Sequence, residues 1–119
     1  MTIFTVGHST RPADEFLRIL RAYEIELLAD IRTVPRSRKN PQFDQNAFER
    51  LLEKERIAYR HLAGLGGLRH TRKDSPNTGW KNASFRGYAD YMQTPEFARA
   101  LEELIGLAAE QTTAIMCAE

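Results

Sequence analysis

The stretch TIFTVGHSTRPADEFLRILRAYEIELLADIR, residues 2–32, decides the fold. Thr2 to Val6 is a β-branched and aromatic run closed by Gly7. Glu26 to Ile31 is a second apolar run, closed by Arg32 with Pro35 three residues on. Both read as strands. Between them Phe16, Leu17, Ile19, Leu20 and Tyr23 recur at helical spacing and make one apolar face, and Pro12 suits that helix's first turn. The order is strand, helix, strand.

Working outward, the order repeats. Ala47, Phe48, Leu51 and Leu52 share one helical face after Asp44, a good N-cap residue, and lead into an apolar run from Ile57 to Leu62. From Ala63 to Asn82 the chain turns to Gly, Pro, Asn, Asp and Lys without periodicity, and a loop that long in a compact domain is usually functional or disordered. Ser84 to Met92 suits a short helix. Thr94-Pro95 reads as an N-cap and first helical residue for a longer one carrying Phe97, Leu101, Leu104, Ile105 and Ala108, and Thr112 to Cys117 is a fourth strand. Strands that alternate with helices and are apolar on both faces predict an α/β fold. We expect a parallel or mostly parallel sheet with helices on both faces, in a single three-layer domain spanning 1–119.

Composition bounds the function without naming it. The chain has 119 residues, 42% hydrophobic and 28% charged, which suits one globular domain and excludes collagen, coiled coil and disorder. Cys117 is the single cysteine, so no intrachain disulfide can form. No stretch approaches the ~18 apolar residues of a membrane span, and the start lacks the pattern of a signal peptide. A cytoplasmic location is expected. The net charge of +1 hides an asymmetry, because residues 32–86 hold thirteen Lys and Arg against five acids. Such a basic centre attracts phosphates or a nucleic-acid backbone, although a basic run can equally be a solvated surface.

In parallel sheets ligands sit outside the carboxyl ends of the strands. The residues there are Gly7-His8-Ser9, Asp30-Ile31-Arg32, His61-Leu62 and Cys117-Ala118-Glu119. Asp30 ends an apolar strand, where a carboxylate is costly without a partner or a task. Arg32 shares its face by strand alternation, so the pair is either a structural ion pair or an orienting acid beside an anion-binding Arg. Cys117 is either a small buried hydrophobe or a thiol activated by Arg32, His8 and helix N-termini. His8 is either a loop histidine bonded to backbone or a general acid or base. The run from Arg32 to Lys39 is stiffened by Pro35 and carries Arg36 and Arg38, which suits phosphate binding. Ala63-Gly64-Leu65-Gly66-Gly67 could bring backbone close to a ligand, but it lacks the dinucleotide-binding glycine pattern. Trp80, Phe85, Tyr88 and Tyr91 could stack on a base or fill the core. The histidines are too scattered for a legible metal site, and no cofactor is expected.

The candidate catalytic residues are therefore His8, Asp30, Cys117 and Glu119, and the candidate substrate-binding residues are Ser9, Arg32, Arg36, Arg38, Arg86 and Tyr88. The leading expectation is an enzyme-like domain binding a small phosphorylated or otherwise anionic ligand, with turnover itself left open. The competing expectation is a nucleic-acid-binding module without catalysis, distinguished by a steep salt dependence.

The motifs TVGHS (5–9), LLADIRTVPRSRKNPQF (27–43), YRHLAGLGG (59–67), SFRGYADYM (84–92) and MCAE (116–119) occur in this order along nearly the whole chain. On them the sequence resembles the domain-of-unknown-function family 488. The resemblance implies a small cytoplasmic α/β protein without an established activity. It also implies a further C-terminal segment with a Cys-His-Arg element, helix and strand, so truncation at Glu119 is expected relative to the family. A fourth strand lacking that cover would leave an apolar patch or open sheet edge, and with it a tendency to form a homo-oligomer.

Overall fold

The computed structural model describes residues 2–67 and 83–117, with only the backbone for 83–86. Four strands form one parallel sheet: β1 (Ile3–Gly7), β2 (Leu27–Asp30), β3 (Ala58–His61) and β4 (Thr113–Cys117), in the order β1-β4-β2-β3. The main helices are α1 (Ala13–Ala22), α2 (Gln45–Lys54), α3 (Ala83–Tyr91) and α4 (Pro95–Glu110), with 3-10 turns at Pro41–Phe43 and Ala63–Leu65.

Strand order explains the layering. The steps from β1 to β2 and from β2 to β3 run one way across the sheet, and the step from β3 to β4 runs back. Right-handed crossovers then put α1 and α2 on one face and α4 on the other. The two cores follow. Phe16, Leu17, Leu20, Phe48 and Leu52 pack on Leu28, Ala114 and Met116, while Leu104, Phe97 and Leu107 meet Ala29, Ile31 and Ile115 across the sheet. All four residues of β2 are buried, as a two-faced strand requires.

The expected open edge at β4 is corrected by the register. β4 is inserted between β1 and β2, with Ala114 opposite both Phe4 and Leu28. Ala114 and Met116 are buried on one face and Ile115 is partly buried on the other. The sheet edges are β1 and β3.

Helix ends follow local chemistry, with two exceptions. Thr94 caps α4 as expected, accepting a hydrogen bond from the Phe97 amide at 3.3 Å. Pro12 occupies the N-cap of α1 rather than its first turn. Asp44 sits at the N-cap of α2 but spends its carboxylate on the Ser37 amide, 2.8 Å away, so it ties down the preceding loop instead of capping the helix. Phe43, just before it, packs on Phe48 with ring centroids 5.3 Å apart, in the positions of a hydrophobic staple.

The glycine-rich run after β3 approaches protein backbone. A Cβ on Gly66 would lie 2.7 Å from the Thr33 nitrogen and 2.9 Å from the Ile31 carbonyl oxygen. This turn thus packs against the chain leaving β2. Gly106, on the exposed side of α4, has open space around it. We therefore expect Gly66→Ala to cost about 1–3 kcal/mol and Gly106→Ala to add up to about 1 kcal/mol, both read from urea unfolding midpoints.

Candidate functional site

Asp30 is completely buried at the carboxyl end of β2, and its two oxygens accept four hydrogen bonds. The Arg32 amide (3.1 Å) and Nε (2.9 Å) donate to Oδ1. Arg32 Nη2 (2.7 Å) and the Tyr59 hydroxyl (2.5 Å) donate to Oδ2. Arg32 Nη2 also donates to the Phe43 carbonyl at 2.7 Å. A buried carboxylate is tolerable only with this density of donors, two of them on a guanidinium that grips it side-on. Burial, followed by the hydrogen bond to Asp30 and its charge, holds the Tyr59 phenol well above its ordinary range.

The neighbouring loops attach to this pair. The His61 Nε2 donates to the Arg32 carbonyl at 2.7 Å, fastening β3 to the chain after β2. The Phe43 ring stacks on His8, with centroids 4.6 Å apart. Gln42 Nε2 donates to the Arg11 carbonyl at 3.0 Å, joining the loop after β2 to the turn after β1.

His8 is 2% exposed. Its Nδ1 lies 2.9 Å from the Ser9 carbonyl oxygen. A carbonyl only accepts, so Nδ1 carries the hydrogen, and in the neutral ring Nε2 then holds a bare lone pair. Burial, the largest effect, and the nearby Arg32 charge lower the His8 pKa against the opposing pull of the Ser9 carbonyl and Asp30. Two buried side-chain atoms at this edge have no hydrogen-bond partner among the described residues: His8 Nε2, an acceptor when the ring is neutral, and Arg32 Nη1, a donor.

A cleft of about 440 Å³ opens beside this cluster, walled by Ile31, Arg32, Thr33, Val34, Arg36, Leu65, Gly67, Tyr88 and Cys117. Cys117 is exposed and forms no disulfide. The Tyr88 hydroxyl donates to the Leu65 carbonyl at 2.8 Å, so its ring rather than its hydroxyl is offered to the cleft.

The structure thus brings His8, Asp30 and Arg32 together on the α1–α2 face. Strand alternation sends Cys117 to the opposite face with Ile115, so no His8–Cys117 dyad is built, although Arg32 borders both groups. Arg36 lines the cleft. Arg38 and Lys39 are exposed on the same loop, and Ser9 is exposed in a left-handed conformation at φ 46°. Glu119, Trp80, and the side chains of Phe85 and Arg86 lie outside the described residues. Among the described residues, no group of three or more His, Cys, Asp or Glu could hold a metal ion, and no helix is long and apolar enough to cross a membrane.

Sequence reading placed His61 at a strand end without giving it a role, and it missed Tyr59 and Phe43 as parts of this cluster. The spacing of Tyr59 and His61 on β3 was a usable signal, since it places both on one sheet face. Phe43 carried only the staple position before Asp44.

A family model described as "Domain of unknown function DUF488" matches residues 12–119. Neither the curated proteins nor the solved structures yield a match.

Removing one partner of the buried pair should be severe. Asp30→Asn is expected to cost about 3–5 kcal/mol in denaturant unfolding. Because the folded pKa of His8 is depressed, its unfolded form binds a proton first as the pH falls. Stability should therefore decline from the ordinary value of 6.5 downward, until the folded imidazole also titrates. His8→Phe should flatten that part of the stability–pH curve.

Proposed function

The chain belongs to the DUF488 domain family, and we propose that its carboxyl sheet edge binds a small phosphorylated or otherwise anionic ligand. The observation that carries this reading is the unpaired, buried Nη1 of Arg32. The bidentate grip on Asp30 fixes the guanidinium plane and leaves that one N–H edge unused. A buried donor without a partner is costly in any fold, and an anion is the partner that suits a guanidinium best.

Arg36, on the wall of the adjoining cleft, supplies a second positive charge to the ligand, and Arg38 attracts it from the exposed loop. Asp30 acts as a positioning residue, since its oxygens are fully used on Arg32 and Tyr59. Ile31, Val34, Leu65 and the Tyr88 ring would receive the apolar part of the ligand. Cys117 is exposed on the wall of the same cleft, beside the proposed ligand. His8 serves the anion seat rather than the thiol.

A small ligand suits this edge better than a nucleic-acid track. Arg32, the cation at the centre of the site, is buried and committed to a carboxylate, so it is out of reach of a polynucleotide backbone, which could meet only the exposed Arg36, Arg38 and Lys39 of the loop.

Titration calorimetry with inorganic phosphate tests the reading. Arg36→Ala combined with Arg38→Ala should weaken binding about tenfold while leaving the melting temperature nearly unchanged, because both side chains are exposed. An unchanged isotherm would count against it. Affinity falling by several orders of magnitude between 50 and 200 mM salt with a single-stranded oligonucleotide would favour the nucleic-acid reading.

A further inference from the structure

Resting on that anion-site reading, we infer that the seat selects an oxyanion that still carries a hydrogen, such as hydrogen phosphate, over a fully deprotonated one such as sulfate. Two buried atoms with opposite needs carry the inference. Arg32 Nη1 has hydrogens to give and the neutral His8 Nε2 has a lone pair to fill, and neither has a partner among the described residues. Both side chains are held by their remaining atoms: His8 by the Ser9 carbonyl and the Phe43 ring, Arg32 by Asp30 and the Phe43 carbonyl. Neither is therefore free to turn and satisfy itself.

A bare anion answers only half of this arrangement. Its oxygens accept from Arg32 Nη1, but against His8 Nε2 they would set lone pair against lone pair. A phosphate oxygen bearing a hydrogen donates to Nε2, while another oxygen of the same group accepts from Nη1. Both atoms are then satisfied by one tetrahedral ligand. Leaving a buried polar atom opposed is what makes such sites discriminating. His8 is thus the residue that determines specificity, and Arg32 the residue that supplies attraction.

Access follows from the flanking structure. Both atoms are covered, but Arg32 forms part of the cleft wall, and the loop after β2 carries exposed Val34, Arg36, Arg38 and Lys39.

The hydrogen-bearing group could belong to free phosphate or to a phosphate monoester in its singly charged form. Both are offered to the whole chain at pH 6.0, where a monoester is about half protonated, and at pH 7.0, where the His8 ring, with its pKa lowered from 6.5, is neutral and the preference over sulfate is read. The probes are inorganic phosphate, methyl phosphate and sulfate at equal ionic strength, with binding read by calorimetry. Wild type should prefer inorganic phosphate to sulfate by about tenfold or more. Methyl phosphate binding as well as inorganic phosphate identifies a monoester as the natural group, and much weaker binding identifies the free anion. His8→Phe keeps the ring stack on Phe43 but removes the acceptor, so the preference should disappear. His8→Gln provides a second, separately folding test, and its amide N–H should raise sulfate affinity relative to phosphate. Equal affinity of wild type for phosphate and sulfate would overturn the inference while leaving the anion site standing. So would a preference that survives both His8 variants. No binding of any of the three anions would overturn the anion site as well.

Discussion

The carboxyl edge of this sheet depends on one buried carboxylate. Asp30 ends the strand that both cores share, and it cannot be left there without donors. Satisfying it turns Arg32 back onto its own strand and draws in Tyr59 from β3. Arg32 then reaches the Phe43 carbonyl, which fixes the start of α2. Phe43 in turn holds His8 at the end of β1. The ends of three strands and the loop before α2 are organised around two oxygen atoms.

A buried pair of this kind is poor value as a pure source of stability, since apolar residues of similar volume often do as well. Its effect here is on geometry. The guanidinium has one edge fully used and one unused, and the stacked imidazole has one nitrogen used and one bare. Unpaired polar atoms at the ligand-binding end of a parallel sheet are the feature that distinguishes this edge from a well-packed corner.

The architecture was legible in the sequence wherever burial wrote a pattern. The two-faced apolar run ending in Asp30 predicted a central parallel strand, and Thr94-Pro95 predicted the start of α4 to the residue. Asp44 reads as an N-cap in any local analysis, yet its carboxylate bonds to Ser37, because the loop's need for a donor partner depends on a fold that local rules do not see. The position of β4 was illegible for a similar reason: strand order depends on which hydrophobic faces meet in space, and the last strand in sequence proves to be an interior one. At the site, residue types at strand ends pointed to His8, Asp30 and Arg32. Alternation counted from an exact register was needed to separate Cys117 from His8, and strand boundaries read from sequence are not that exact.

The His8 ring offers the most direct measurement of the central claim, that the edge organised by Asp30 and Arg32 holds, through Phe43 and the Ser9 carbonyl, a buried imidazole with its Nε2 bare. Nitrogen-15 spectra of the histidine side chains at pH 7, with assignment by His8→Phe, report protonation and tautomer together. The expected result is a neutral ring protonated at Nδ1, with an Nε2 resonance that moves toward its hydrogen-bonded position when phosphate is added and stays in place with sulfate. A doubly protonated ring, or one carrying its hydrogen on Nε2, would contradict the arrangement at its root.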